Sequence, residues 1–351
     1  MVPAFDLSRR LARYRADYLK IVGRVLDNGH LLLGPELSQF ESDFEVFAGG
    51  DACVGVASGA SALQMILAAL GVGPGDEVIV PAMTAVPTAA AVCAVGAAPV
   101  FADVNASSAA LDPASAAAAV TERTKAVIAV HLYGRPAEVA LIVAATGVPV
   151  VEDCAQSHGA TRTVTGVAAA YSFYPTKNLG GVGDGGAVVT DDKRLADHVR
   201  RQRVHGLTDS YEHVLVSQNF RMSELEAGWL ALTLPFLAAD NERRRHIVDA
   251  YRAAAPQLGW HRSHADHVYH LAVVNAADRV GFRAHLAANG VATAVHYPLA
   301  LTQQPAYAKY VTQPCPNAER WAAGCVSVPC FPELTDDEVA QVCAALQSAP
   351  A

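Results

Sequence analysis

Three short segments of this sequence carry residue types, at spacings, that suit covalent chemistry on a small molecule. Lys177 stands in YSFYPTKNLGGVGDGGAVVT, Tyr171 to Thr190, behind an apolar and aromatic strand and ahead of glycines at 180, 181, 183, 185 and 186. A lysine between a strand and a glycine loop is held in place, and a positioned primary amine is a nucleophile toward carbonyl carbon. Taken alone, it also fits a solvated lysine at a turn. Asp153 closes the apolar run of PVVEDCAQSHG, about one strand-loop unit upstream. In a chain that alternates strands and helices, ligands gather beyond the carboxyl ends of the strands, so this carboxylate is aimed at a site. The third segment, CVGVASGASALQMILAAL from Cys53 to Leu70, reads as a buried strand, a Ser-Gly turn and a helix with Gly59, Ala60 and Ser61 at its start. Free N–H groups and the helix dipole make such a start an anion site.

Anion cradle, strand-end acid and looped amine together are what pyridoxal phosphate requires. The helix start takes the phosphate, the carboxylate keeps the pyridine nitrogen protonated, and the amine forms the Schiff base.

The elements that would hold these groups follow from periodicity. Strand candidates fall at 53–57, 77–81, 98–103, 126–131, 148–152, 168–174 and 186–190, mostly Val, Ile and Ala runs without polar alternation. Such strands are covered on both faces. Helices are predicted at 6–28, 35–49, 59–71, 84–96, 113–120, 136–146 and 193–205, and 206–220 reads as an irregular loop. The order gives a three-layer α/β domain with a mainly parallel sheet. Ser223 with Glu226 predicts a capping box that opens one long helix through Leu237. A smaller α+β domain is expected beyond it, with strands at 267–275 and 291–297, a helix at 280–289, and a last helix opened by Thr335 and Glu338. The chain therefore divides at 1–237 and 238–351.

Composition narrows the function classes. At 351 residues the chain is too long for one compact core, and with 52% hydrophobic and 17% charged residues it is an ordinary core-rich globular protein. A net charge of −8 argues against a nucleic-acid partner, because phosphate backbones call for clustered Lys and Arg. Seven cysteines without a CxxC pair fit a reducing cytoplasm. The start MVPAFDLSRRLARY has no apolar core of a signal peptide, and no stretch reads as a membrane span. Gly181 to Gly186 satisfies G-x-G-x-x-G, yet it precedes a strand where a dinucleotide turn must follow one. The thirteen histidines show no HExxH pair and no cysteine at zinc intervals, so no metal is expected. His158, His131 and Tyr133 lie at strand exits, and each is read either as a hydrogen-bonded loop residue or as a group near the site.

EDCAQSHG and SFYPTKNLGGVGDGGAVVT, with GHLLLGPELSQFE near the start and VSVPCFPELTDDEV near the end, resemble the DegT/DnrJ/EryC1/StrS family of pyridoxal-phosphate aminotransferases. The resemblance implies an aminotransferase of fold type I that passes an amino group, expected from glutamate, to a keto group on a nucleotide-linked deoxysugar, dTDP being the expected nucleotide. A keto-inositol acceptor shares every cofactor residue, and a non-catalytic regulator that keeps the cofactor pocket is a further alternative. It also implies roles. Lys177 matches the Schiff-base lysine, which dehydratases of the family replace with histidine. Asp153 matches the acid under the pyridine nitrogen, Gln156 the glutamine beside the ring hydroxyl, and Ser172 a serine on the phosphate. Ser58-Gly59-Ala60-Ser61 matches a phosphate-binding Ser-Gly-Thr-Ala, with Ala60 in place of threonine and Ser61 expected to supply part of the missing hydroxyl contact. Ala85 stands where the family often stacks an aromatic ring on the cofactor. Asn219 matches an asparagine that reaches the phosphate from a neighbouring subunit, which implies a homodimer with shared sites. His158, Tyr133, His296 and Tyr297 are expected near the substrate.

Overall fold

Strands with no polar face need cover on both sides, and the chain supplies it by returning to a helix after nearly every strand. The computed structural model describes residues 1–160 and 163–350. Helix α1 (Leu7–Asn28) is capped by Asp6 and ends on Gly29 at φ 72°. It is followed by α2 (Pro35–Ala48), β1 (Ala52–Val56), α3 (Gly59–Ala69), β2 (Glu77–Pro81), α4 (Val86–Ala94), β3 (Ala98–Ala102), α5 (Pro113–Ala118), β4 (Thr124–Val130), α6 (Val139–Thr146), β5 (Val150–Asp153), β6 (Ala168–Ser172), β7 (Gly186–Thr190) and α7 (Lys193–Gln202). The seven strands form one sheet in the order β1-β7-β6-β5-β4-β2-β3. Only β7 is reversed: it runs antiparallel to both β1 and β6, and every other pairing is parallel.

That reversal positions the site. The carboxyl ends of β4, β5 and β6 share one edge, with Val130 beside Asp153 and Asp153 beside Ala170. Because β7 runs the other way, its first residue, Gly186, sits at the same edge, opposite Ser172 on one side and Val56 on the other. The exit of β1 into α3, the end of β5 and the end of β6 therefore converge, although well over a hundred residues separate the first from the last.

The second half contains α8 (Glu224–Thr233), α9 (Leu237–Ala254), β8 (Ala272–Asn275), α10 (Arg279–Ala288), α11 (Pro316–Gly324), β9 (Cys325–Val328) and α12 (Asp336–Gln347). Strands β8 and β9 pair antiparallel as a sheet of their own. Tyr251, Phe282, Leu286, Phe331 and Leu346 form a separate core around it, joined by Val2 from the chain start. Residues from Ala300 to Cys325 return to the core of the seven-stranded sheet. Thr335 and Glu338 make the reciprocal capping box that opens α12.

Four expectations need correction. The long helix through Leu237 breaks, because Pro235 lacks the N–H to continue it and Leu234–Phe236 tightens into a 3-10 turn. Only half of the Ser223–Glu226 box forms: Ser223 accepts the Glu226 N–H at 3.1 Å, but the Glu226 carboxylate turns away to the Val182 amide. The strand expected over 267–275 shrinks to Ala272–Asn275, since Tyr269 sits in the left-handed region at φ 42°. The strand expected over 291–297 reduces to single bridges at Val291 and Ala294.

Candidate active site

A cavity of about 350 Å³ lies at the shared edge, with Gly59, Asp153, Gln156, Ser172 and Lys177 in its wall. Its floor is the start of α3. Ser58 and Ser61 cap this helix reciprocally, the Ser58 hydroxyl taking the Ser61 amide at 3.1 Å and the Ser61 hydroxyl taking the Ser58 amide at 2.9 Å. The amides of Gly59 and Ala60, among the described residues, are left for an outside acceptor. Glycine is required at 59, because a Cβ there would stand 2.6 Å from Cβ of Ser172. The Ser61 hydroxyl is committed to Ser58, so it does not replace the threonine hydroxyl missing at Ala60.

Lys177 sits in a tight turn after β6. Its N–H donates to the Tyr174 carbonyl at 2.8 Å, and the Gly181 amide returns to the Phe173 carbonyl at 2.7 Å. The carbonyls of Pro175 and Lys177 both accept from Nη1 of Arg10, at 3.2 and 2.9 Å. Asn178 donates to Asn241 and to the Val268 carbonyl. Burial pulls the Lys177 amine down to about 8, while the nearby Asp153 charge favours its protonated form.

Asp153 is 5% exposed. One carboxylate oxygen accepts from the Thr88 hydroxyl at 2.9 Å and the other from the Ala155 amide at 3.1 Å. Burial raises its pKa, and these two hydrogen bonds and Lys177 oppose the rise. Glu152, its neighbour on the strand, faces the other way, as alternation dictates. It accepts from the Thr165 and Gly166 amides and pairs with His131 Nε2 at 3.0 Å. The sequence pattern ED therefore delivers one acid to the cavity and one to the scaffold.

Gln156 links several of the remaining candidates. Its carbonyl oxygen accepts the Tyr133 amide at 2.6 Å, and its amide nitrogen donates to the Tyr297 hydroxyl at 3.0 Å. The Tyr133 hydroxyl donates to the His296 carbonyl at 2.5 Å. Tyr133 is fully buried, so it braces the site and does not face a ligand. His296 bonds Ser327 at 2.9 Å and, with Thr176 and His270, lines a smaller cavity of about 160 Å³. Ala85, at the start of α4, lines the main cavity beside Thr84.

Two further expectations place differently. His158 does not reach the cavity: its ring is fully buried, packed near Tyr171 and Phe173, and burial drops its pKa to about 3. Asn219 lies exposed on the 206–220 loop, where it accepts from Arg221 at 2.9 Å, and is not part of the cavity wall of its own chain. Sequence reasoning missed Thr88, although it stands in PAMTAVPT four residues after Thr84, one helical turn apart. It also missed Arg10, which carried no signal beyond its place on a basic helix face. His131, Glu152 and Cys154 bring metal-capable atoms within 4.8 Å of one another, a cluster hidden by sequence distance. The histidine and carboxylate atoms there are spent on each other and on backbone amides, Nδ1 of His131 taking the Ala137 N–H at 2.9 Å.

The residues present fit pyridoxal phosphate. Unpartnered amides stand at a helix start, a missing Cβ opens room against Ser172, a buried amine faces the same space, and a hydrogen-bonded buried acid waits across it.

Comparison with known proteins agrees. The DegT/DnrJ/EryC1/StrS aminotransferase family matches residues 13–347. A UDP-N-acetyl-3-dehydro-alpha-D-glucosamine 3-aminotransferase of Acidithiobacillus ferrooxidans is 40% identical, over 97% of this chain and 96% of that protein. A dTDP-3-amino-3,4,6-trideoxy-alpha-D-glucose transaminase of Streptomyces venezuelae is 41% identical, over 97% of this chain and 94% of that protein. Among solved structures, S. venezuelae DesV in complex with a ketimine intermediate superposes with a TM-score of 0.95 at 39% identity, covering 99% of this chain and 97% of that one.

Proposed function

With the chain belonging to the DegT/DnrJ/EryC1/StrS aminotransferase family, we propose that the cavity at the sheet edge holds pyridoxal phosphate and serves amino transfer from an amino acid to a keto group of a nucleotide-linked sugar. The observation that carries this reading is the convergence of the α3 start, Asp153 and Lys177 on one cavity. The relatives' names, one UDP-linked and one dTDP-linked, support a nucleotide sugar as acceptor. L-Glutamate is the proposed donor.

When bound, the cofactor supplies an aldehyde that takes up the amine and a ring that spreads the electron pair freed at the substrate carbon. The chain's own residues do the rest. The amides of Gly59 and Ala60, with the Ser172 hydroxyl, hold the phosphate in a helix-dipole field. Asp153, fixed by Thr88 and Ala155, presents a carboxylate to the ring nitrogen and keeps a proton there. Gln156, oriented by Tyr133 and Tyr297, offers hydrogen bonding to the ring hydroxyl. Lys177 Nζ takes the proton released at the donor's amine-bearing carbon and gives a proton to the former keto carbon of the acceptor. Ala85 leaves one ring face without an aromatic neighbour at that position, and His296 and Tyr297 are assigned to the substrate side.

Residues 1–237 and 238–351 are taken as two domains, a division supported by the separate core around β8 and β9. A homodimer belongs to the same reading, with Asn219 of each protomer reaching the other's anion site. Its exposure on a loop that also bares Tyr211 and Val216 supports this. No helix among the described residues is long and apolar enough to cross a membrane. Unpaired cysteines support a cytoplasmic location.

Borohydride reduction of the loaded protein followed by peptide mapping tests the core assignment. The adduct should map to position 177, and Lys177→Ala should lose both the adduct and turnover of glutamate with a dTDP- or UDP-linked keto sugar. Full turnover in that variant would end the assignment.

A further inference from the structure

The lysine turn is held from below by a residue that no sequence motif singles out. Arg10, on the N-terminal helix, is 5% exposed. One of its terminal nitrogens donates to the carbonyls of both Pro175 and Lys177, the residue two before the lysine and the lysine itself. The turn closes tightly over this group: a Cβ on Gly180 would stand 2.6 Å from the same nitrogen and would collide with the Pro175 carbonyl. Glu333, from the segment before α12, lies 3.8 Å from Nε of Arg10, and that is the only ion pair of this guanidinium among the described residues. Arg9 and Arg13 on the same helix pair with Glu338 and Asp240, so α1 is fastened to the C-terminal half on either side of Arg10.

We infer that Arg10 is a positioning residue for Lys177: by taking the inward-facing carbonyls of Pro175 and Lys177, on either side of Thr176 in the lysine turn, it fixes the backbone from which the amine reaches the cavity, and through Glu333 it ties that backbone to the C-terminal half. Charged donors make stronger hydrogen bonds than neutral ones, and two acceptors on one nitrogen leave the turn little freedom. Without the guanidinium both carbonyls lose their partner, and nothing else among the described residues donates to them from the interior. The inference rests on Lys177 being the working amine, so its test separates the two claims.

Arg10→Gln and Arg10→Lys are compared with Arg13→Gln, which removes an exposed ion pair on the same helix. In cofactor-free protein, amide hydrogen exchange at Lys177 and Gly181 should quicken on the order of tenfold in Arg10→Gln, with α12 unchanged. In loaded protein, kcat should fall about tenfold with the donor KM within about twofold, and Arg10→Lys should recover part of both effects. Arg13→Gln should match the parent. Unchanged local exchange overturns the inference, as does quickened exchange throughout the chain, which marks Arg10 as a general fold element. Quick local exchange with unaltered kcat also overturns it, provided the borohydride adduct of the parent maps to position 177; an adduct elsewhere shows that the lysine reading has failed instead. If Arg10→Gln does not fold, Arg10→Lys decides by the same readings.

Discussion

In the proposed assignment the amine of Lys177 is the group whose state governs the rest of the site. An ordinary lysine gives up its proton near 10.5, and burial moves this one to about 8. The neutral amine is the nucleophile, so capture of pyridoxal phosphate by cofactor-free protein should speed up as pH rises and level off above about 8. Stopped-flow absorbance from pH 6 to about pH 10 reads this directly; a rate still climbing at the top of that range would place the amine in solvent. Asp153 acts at the same scale with the opposite charge. Burial works against its ionised form, and the Thr88 hydroxyl and Ala155 amide restore it. Asp153→Asn keeps the shape and removes the charge, so kcat should drop on the order of a hundredfold or more with the fold intact. Circular dichroism and steady-state kinetics on the same preparation separate the two. These two residues were legible in the sequence because each stands at an abrupt change of residue type, Asp153 at the end of β5 and Lys177 between the aromatic strand and the glycine run. Thr88 was not, because a threonine inside PAMTAVPT shows its role only once β5 brings Asp153 beside α4. His158 misled for a related reason: its place in the strand exit was readable, but the face it turned to was not.

The glycine run after the lysine gains its meaning from an element that lies far away in sequence. Glu226, in the first turn of α8, pushes a carboxylate under the loop and accepts the Val182 amide at 3.2 Å. Burial and the nearby Asp184 raise this carboxyl to about 7. A methyl on Gly181 would overlap its Oε1, whereas one on Gly183 would stand 3.5 Å from Oε2, ordinary contact. Gly181→Ala should therefore lower stability by about 1–3 kcal/mol, and Gly183→Ala should leave it within about 0.5 kcal/mol. Thermal and urea midpoints measured on both check the contrast; equal effects would mean that loop entropy, and not the buried carboxylate, sets the glycine requirement. Ser223 and Glu226 have the spacing of a capping box, and that pattern carries no information about which way the glutamate turns. The seven strands were legible in outline because doubly covered strands are continuous apolar runs. The reversal of β7 was not, since an apolar run is the same in either direction, and only the loop that carries the lysine makes a crossover helix impossible there.

At the scale of the molecule the 206–220 loop is the feature that one chain leaves unexplained. Val216 is more exposed than in an extended reference chain, at 109%, Tyr211 is 82% exposed, and Leu19 and Leu26 on α1 are also bare. Tyr211, Val214 and Val216, bared on one loop, make the kind of apolar surface that another chain covers. The proposed homodimer covers it with a second copy and carries Asn219 to the partner's anion site. Val216→Asp places a charge in that contact, while the cavity of each chain, built from other residues, keeps its own shape. Sedimentation velocity should then show a shift from dimer to monomer at micromolar concentration. Asn219→Ala, which leaves the contact in place, should stay dimeric and yet bind pyridoxal phosphate about tenfold more weakly, the cost of one hydrogen bond to a charged group. The two variants divide the claim: Val216→Asp that remains dimeric puts the interface elsewhere, and Asn219→Ala with unaltered cofactor affinity confines each site to a single chain. If both hold, mixing Asn219→Ala with Lys177→Ala protomers should yield heterodimers in which one site carries both lesions and the other carries none. At pyridoxal phosphate too dilute to fill the weakened Asn219→Ala sites, such a mixture would exceed the activity of either parent, while two self-contained sites would give nothing beyond the activity of the Asn219→Ala chains.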